Sequence, residues 1–484
     1  MRRSIAYILA TILLWGCTTE KKDQDGNNPK YTPEVEAKID RVINNLQVGT
    51  SLDRIYKTKT LSNQLEKYHT PGVSIAVINN GEIEWARGFG KRDLVSNLPV
   101  DINTLFEAGS VSKPVFALTV MRLYEKGVVD LDEDVNTYLK SWQVPKSGNW
   151  QPKITLRQLL SHTAGLTVHG FPGYLPSESL PSLPQILNGE APANTPAVEV
   201  NILPGRTYRY SGGGTTVAQL AIQDLMNKAL PDIADQELFE PLDLSLSTYQ
   251  QPLPYELEKM ASTAYPYKGQ PIYGRFHIYP EMAAAGLWTN PTELATLLIE
   301  VQKSIKGKSN LLKKETVEEM LAPQKVAKHI GIGFFLESKG DSTRFGHGGW
   351  DEGFVTKVTA YKNLGMGAVI MVNSNEGFPI MDEIIRSIAQ EYGWPDYVDS
   401  PPKFVTELEG IEDYAGIYSG EQSEVQVNVN GDLLTLQYEN QDPITLRQTT
   451  SGEFRCDHLN LQVTFTYNEL EIDQYGQSYS YKKQ

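Results

Sequence analysis

Cysteine is nearly absent from this 484-residue chain, with Cys17 and Cys456 the only two. Two thiols cannot staple a scaffold, so stability has to come from apolar cores, and a thiolate metal cluster is excluded as well. Histidine is sparse, seven in all, and none forms an H-E-x-x-H or equivalent pair, so no metal and no cofactor is expected. Positive charge is in deficit: 44 Lys+Arg stand against 59 Asp+Glu, a formal charge of −15. A phosphate backbone finds no global attraction there, and nucleic acid is not an expected partner. No internal repeat is visible. What remains is ordinary globular composition, 40% hydrophobic and 21% charged, in a chain long enough for roughly two to four domains.

The N-terminus holds a short apolar run. Arg2 and Arg3 precede Ser4–Gly16, the order of a secretory signal, and 13 helical residues span only ~20 Å of a ~30 Å hydrocarbon core. The run ends Leu14-Trp15-Gly16-Cys17, which resembles the bacterial lipoprotein box, where the cysteine is lipidated and becomes the first residue. Residues 1–17 thus read as a signal peptide. Residues 18–33, with almost no large apolar side chain, read as a flexible tether. The expected location is the cell envelope, with the membrane as a partner through lipid on Cys17.

From Glu34 the pattern is globular. Val35, Ile39, Val42, Ile43 and Leu46 recur at helical spacing and predict an amphipathic helix over Glu34–Gln47. Val73–Ile78 and Glu82–Gly90 flank Asn79-Asn80-Gly81, whose Asn-Gly step suits a tight hairpin. A mostly helical stretch follows from about Ser110. Another strand pair, Phe354–Tyr361 and Met366–Asn373, then precedes the amphipathic helix Met381–Tyr392. Strands at both ends of a helical insertion predict an α+β fold, an α/β sandwich with one antiparallel sheet closed by distant segments. We expect this domain over residues 34–394, a Pro-rich linker over 395–407, and over 408–484 a small all-β domain of period two with Asn430-Gly431 as a turn. Tyr414 and Tyr418 should fill its core, Cys456 should be a buried thiol, and the acids Glu407, Glu409, Glu412 and Asp413 should be solvated.

The chemistry centres on Glu107-Ala108-Gly109-Ser110-Val111-Ser112-Lys113-Pro114. Proline is tolerated in a helix's first turn, so Pro114 fixes a helix start near Ser110, and Val115–Leu123 is apolar on nearly every side, as in a helix buried mid-domain. Ser110 then lies at the positive end of a buried helix, with Lys113 one turn on and within reach of its hydroxyl. A desolvated lysine can take the serine's proton or hold a neighbouring base in its charged form. S-x-x-K alone is a common tetrapeptide, and two further segments give it context. Pro204–Gly212 puts the phenol of Tyr210 on a loop before a helix expected at about Thr215. Phe345-Gly346-His347-Gly348-Gly349-Trp350 enters the last strand pair with glycines that let a substrate approach the backbone.

On these motifs, together with Leu159–Leu166 and Gly127–Asp134, residues Leu61–Tyr392 resemble the penicillin-recognising serine hydrolases: class C β-lactamases, D,D-peptidases, and related esterases and D-aminopeptidases. The resemblance implies a β-lactamase/transpeptidase-like fold, with Ser110 as nucleophile, Lys113 its partner, Tyr210 the Y-x-N tyrosine and His347-Gly348-Gly349 in place of K-T-G. It implies an oxyanion hole from the backbone N–H groups of Ser110 and Trp350. It also implies a tyrosine base, which at neutral pH needs the positive charge of Lys113 nearby. Tyr414-Ala415-Gly416-Ile417-Tyr418 resembles the start of the lipocalin-like domains appended to this family.

Two positions depart from the pattern. Gly212 stands where the family carries asparagine, removing an amide that would orient a substrate amide, and His347 replaces a permanently charged lysine. The expected function is therefore a serine hydrolase that forms an acyl-enzyme on Ser110 and favours small esters. The alternatives are a β-lactamase or D-Ala-D-Ala peptidase, and a non-catalytic surface binding or sensing relative. The expected partner is a small ester, amide or lactam. His162 is expected to bond backbone structurally, and His169 to be exposed within Leu166–Val200, a Pro-rich stretch expected to lack regular structure and to overhang the site.

Overall fold

The computed structural model describes residues 28–48, 57–337, 342–395 and 397, and towards the C-terminus 404–405, 410–420, 424–431, 433–438, 443–449, 452–456, 461–466, 468–474 and 477–484. The expected signal peptide, Cys17, the tether up to residue 27, Glu407, Glu409 and most of the expected linker lie outside the described residues.

The first helix, α1, spans Pro33–Asn44; Thr32 caps it by accepting the Val35 N–H, and Ile39 and Val42 are its buried residues. It stops short of the expected Gln47. The Asn45 amide turns back onto the Arg41 carbonyl, and Leu46–Val48 leaves as a strand paired with Lys57–Lys59, its Gln47 carbonyl taken by Arg386. The expected tether also ends early. The Asn28 amide exchanges two hydrogen bonds with the Gly88 backbone, the Tyr31 hydroxyl bridges the N–H and C=O of Ala86, and Arg87 clamps Glu36 with both guanidinium nitrogens.

The main sheet is built from β1 (Gly72–Asn79), β2 (Glu82–Asp93), β3 (Leu98–Pro99), β4 (Phe335–Glu337), β5 (Arg344–Asp351), β6 (Phe354–Tyr361) and β7 (Gly367–Val372). Among the described residues its order is β3-β2-β1-β7-β6-β5-β4 with antiparallel pairing throughout. The β1–β2 turn has Asn80 at φ 55° and Gly81 at φ 77°, the left-handed pair that a tight hairpin needs. β1 and β7 pair from Val73↔Val372 to Ile78↔Gly367, so distant segments do close the sheet.

Helices cover both faces. Val73, Ile75 and Val77 of β1 and Ile370 and Val372 of β7 pack with α1 and the C-terminal helix Phe378–Glu391. Ala76, Ile78, Val369 and Met371 pack on the other side against the helical insertion, so β1 is buried on both faces and reads as one apolar run. The insertion contains α2 (Ser112–Glu125), α3 (Gly212–Met226) and α4 (Pro291–Ile305). α2 is enclosed from Ser112 to Met121, Thr119 included. The Pro-rich stretch is not wholly irregular: Leu166 bridges Val200, and Leu183–Asn188 forms a short helix with a Ser182–Gln185 capping box.

The C-terminal residues form a closed barrel of eight strands among those described, from Gly416–Ser419 to Gln477–Lys483, which pair with each other. Val425, Leu436, Leu446, Val463 and Ile472 fill it by period-two alternation, together with Tyr418 and Cys456. The Tyr418 hydroxyl donates to the Tyr414 carbonyl at 2.9 Å.

Candidate active site

Ser110 lies in the turn Gly109–Val111 that leads directly into α2. Gly109 takes φ 53°, a left-handed value that glycine adopts without strain, and a Cβ there would fall 2.4 Å from the Trp350 nitrogen. Hydrogen bonds fasten the turn from below. Ala108 N–H donates to the Leu287 carbonyl at 2.9 Å, Leu287 N–H to Ser112 Oγ at 3.0 Å, and the Tyr249 hydroxyl to the Ser112 carbonyl at 2.6 Å.

Lys113 is 4% exposed, and its ammonium donates to Ser110 Oγ at 2.9 Å and to the Ala284 carbonyl at 2.7 Å. Burial pushes its pKa down to about 7, against an opposing pull from the Asp351 carboxyl. Near neutrality the neutral amine is therefore within reach.

Tyr210 is held by its neighbours. Ser211 caps α3, accepting the Gly214 N–H at 2.8 Å and donating to the Thr167 carbonyl at 2.6 Å. This cap starts the helix at Gly212, three residues before the expected Thr215. His162, at φ 56°, accepts the Arg209 N–H on its carbonyl at 2.8 Å and the Ser211 N–H on Nδ1 at 3.2 Å, with its ring 4.2 Å from that of Tyr210. The loop is thus clamped on either side of Tyr210. His169 has an exposed surface and also lies against Tyr210, ring centres 4.8 Å apart.

The expected tyrosine base sits in surroundings that favour its neutral form. Burial raises the Tyr210 phenol well above its usual pKa, more than its hydrogen bond with Ser110 lowers it. Lys113 Nζ sits over the face of the ring, 4.9 Å from its centre, and burial lowers its own pKa as well. Burial thus favours the neutral phenol at Tyr210 and the neutral amine at Lys113.

Of the glycine motif on β5, Gly349 is pressed against the nucleophile turn, where a Cβ would meet the Ala108 carbonyl oxygen at 2.0 Å. Backbone touches backbone here, the nucleophile turn lying against the strand at Gly349 and Trp350. Gly348 faces open space on the exposed side of the strand, as does Trp350, whose indole N–H donates to Asn375 at 2.8 Å. His347 is buried and paired across to Val358; its Nδ1 meets the Gly348 carbonyl at 2.5 Å and its Nε2 has no partner among the described residues. Burial, with the Lys113 charge behind it, pushes its pKa down to about 3, so it is a neutral imidazole across the physiological range.

Gly212 opens α3. Its N–H is spent on the His169 carbonyl at 2.9 Å, and a Cβ would meet that oxygen and the Phe171 ring at 3.0 Å each, so the room for an asparagine side chain is occupied by the overhanging stretch. Sequence reasoning missed the Ala284 carbonyl, a backbone group with no sequence signal. It also missed the buried acids Glu107, Asp351 and Glu281, whose signal was a carboxylate within one to three residues of a site group or of Ala284. Among the described residues no cluster of three or more His, Cys, Asp or Glu is placed to hold a metal ion, and no helix is long and apolar enough to cross a membrane.

A serine, a buried lysine and a phenol brought together are parts from which an acyl-transfer site can be built. Comparison with known proteins points the same way. The family model described as Beta-lactamase matches residues 58–392. "Protein flp" of Staphylococcus aureus strain N315 is 23% identical over 193 residues, 40% of this chain and 38% of its own length. "Esterase EstB" of Burkholderia gladioli is 36% identical over 95 residues, 20% of this chain and 24% of its own. The chain thus spans well under half the length of these curated relatives. Among solved structures, the octameric penicillin-binding protein homologue from Pyrococcus abyssi superposes with a TM-score of 0.56 at 18% identity, over 87% of this chain and 98% of that one, a likeness of fold.

Proposed function

The chain belongs to the beta-lactamase family, and on that footing we propose that it is a serine hydrolase that acylates Ser110 and favours small esters. The observation that carries the reading is the Lys113 ammonium, buried and 2.9 Å from Ser110 Oγ. In its neutral form Lys113 takes the serine proton as Oγ bonds to the substrate carbonyl carbon, and the oxyanion is received by the N–H groups of Ser110 and Trp350. As the carbon–oxygen bond to the leaving alcohol breaks, Tyr210 gives that oxygen its proton and recovers one from Lys113. Water then attacks the acyl-enzyme by the same route, returning Ser110 and the free acid.

Ester preference follows from two features. His347 is neutral where a lysine charge would attract a substrate carboxylate, and the space for an amide-orienting asparagine is filled by Phe171 and His169. An ester has no N–H to be paired and a better leaving group, so it loses less from both. An N-terminal lipid on Cys17, holding the protein to the cell envelope, is part of the same proposal and is supported by the residues Arg2–Cys17. The test is intact-protein mass spectrometry after exposure to a fluorophosphonate, with kinetics on ester and penicillin panels, each set beside Ser110→Ala. Labelling confined to Ser110 and a best-ester kcat/KM above that of any lactam are expected. A lactam kcat/KM equal to or above the best ester would overturn the preference, and an unlabelled Ser110 the hydrolase reading.

A further inference from the structure

A row of rings leads away from the nucleophile and belongs to none of the apolar cores. Tyr208, Tyr210 and Phe335 are half-buried and His329 is exposed. Neither tyrosine nor Phe335 is among the residues that build or pack against the three cores of the molecule. The row starts at Tyr210, whose ring centre is 4.9 Å from Lys113 Nζ, which in turn is 2.9 Å from Ser110 Oγ. The Phe335 ring lies nearly parallel to that of Tyr210, centres 6.4 Å apart and planes 9° from each other. His329 continues the series at 6.3 Å and 12° from Phe335, and Tyr208 meets His329 edge-on at 4.6 Å.

The edge of the sheet places these rings. Phe335 opens the edge strand β4 opposite Gly346 of β5, and its ring reaches the next residue of β5, His347, at 4.8 Å. Ile330 bridges Phe335, and the Leu336 N–H donates to the His329 carbonyl at 2.7 Å, so the chain before β4 folds back and sets His329 beside Phe335. Apolar area left at a surface stabilises nothing until something covers it, and a ring face is best covered by another flat or apolar group. The imidazoles add no charge near neutrality, since burial lowers the pKa of His347 to about 3 and that of His329 below its ordinary value. The direction of the row identifies the part of the substrate it meets. If Tyr210 protonates the leaving oxygen, that oxygen lies within hydrogen-bond reach of the phenol, and the carbon it carries extends over the rings next to Tyr210.

We propose that Phe335, with His329 and Tyr208, forms the subsite for the leaving alcohol, and that the preferred substrates are esters of uncharged, ring-bearing alcohols such as benzyl alcohol. The assignment of the row to the alcohol rests on the hydrolase reading. With benzyl acetate, Ser110 Oγ bonds to the carbonyl carbon, the bond from that carbon to the benzyl oxygen breaks, and the Tyr210 proton leaves on benzyl alcohol; water then releases acetic acid. Each carbon withdrawn from water favours a complex about four-fold, and benzyl alcohol has five more carbons than ethanol, so half-covering them should favour benzyl over ethyl acetate by on the order of ten-fold or more in kcat/KM.

The experiment first establishes by fluorophosphonate labelling that Ser110 reacts, then measures kcat/KM on ethyl acetate, benzyl acetate, 4-carboxybenzyl acetate and acetylcholine. Phe335→Ala should lower the benzyl-to-ethyl ratio by about ten-fold, and His329→Ala, an exposed side chain, should lower it by a smaller factor. A second arm is independent of turnover: saturation-transfer NMR of benzyl alcohol with Ser110→Ala, where binding should be lost on adding Phe335→Ala. A wild-type ratio near one, a ratio unmoved in folded Phe335→Ala, or faster turnover of acetylcholine or the carboxylate than of benzyl acetate overturns the proposal. If Phe335→Ala does not fold, an unmoved ratio in His329→Ala does so. If Ser110 is not labelled, the hydrolase reading fails, and benzyl alcohol binding that does not depend on Phe335 and His329 removes the subsite as well.

Discussion

Gly349→Ala tests whether the close approach of β5 to the nucleophile turn builds the oxyanion hole. The new Cβ would lie 2.0 Å from the Ala108 carbonyl oxygen and 3.2 Å from the Val111 nitrogen. Relaxed C···O contacts are ~3.3 Å or more, so strand and turn must separate by about 1 Å. Both sides are backbone, and no rotamer can absorb the clash. An oxyanion donor works over 2.7–3.1 Å, so a retreat of ~1 Å takes the Trp350 N–H out of range, at a cost of about 10²–10³ in kcat. Overpacking of this kind also costs about 1–3 kcal/mol of stability, a fall in Tm of several degrees. Gly348→Ala, where a Cβ meets open space, should leave Tm unchanged. The assays are thermal melting, hydrolysis of a small chromogenic ester and the rate of fluorophosphonate labelling. A folded Gly349→Ala protein with near wild-type kcat/KM would refute the assignment of Trp350 N–H to the hole.

Three further outcomes are expected. Ser110→Ala, Lys113→Ala and Tyr210→Phe should each lower ester turnover by ~10²-fold or more, and Ser110→Ala/Tyr210→Phe should be little worse than either single variant, because one proton path connects them; losses that multiply would contradict that path. Because burial holds the Lys113 pKa down at about 7 and the neutral amine is the active form, kcat/KM should fall as pH drops below about 7, and a profile flat to pH 5 would remove lysine as the base. Cys17→Ser should release the protein from membranes or leave its signal peptide uncleaved, as fractionation and intact mass will show; unchanged membrane association would exclude the lipid anchor.

The fold was legible where local chemistry and long-range packing agree. The Asn80-Gly81 turn, the period of β1 and the all-round apolar pattern of α2 are written in the residues that make them, and the structure has them close to the expected bounds. Boundaries moved where a side chain recruited a backbone group out of sequence view: Asn45 and Arg386 ended α1 early, and Ser211 started α3 inside what reads as a glycine loop. The separation of Ser110 and Lys113 was readable from helix geometry, and the 2.9 Å bond follows from it. Their ionisation was not readable. Whether Lys113 lends its charge to Tyr210 or loses its own proton depends on burial, and burial is settled by segments as distant as Ala284 and Asp351. The same holds for Gly212, whose missing side chain reads as an empty space until Phe171 is found in it.

The pairing of β1 with β7 also orders events in time. Val73 cannot find Val372 until some 300 further residues have been made, and closing so large a loop is costly before its contacts form. Any nascent chain shorter than that carries β1, an almost wholly apolar strand, with one of its two neighbours missing. The same delay governs the catalytic parts, since Ser110 has its partner backbone only once Gly349 has arrived. The sheet therefore closes late, and only that closing step sets Gly349 against the Ser110 turn.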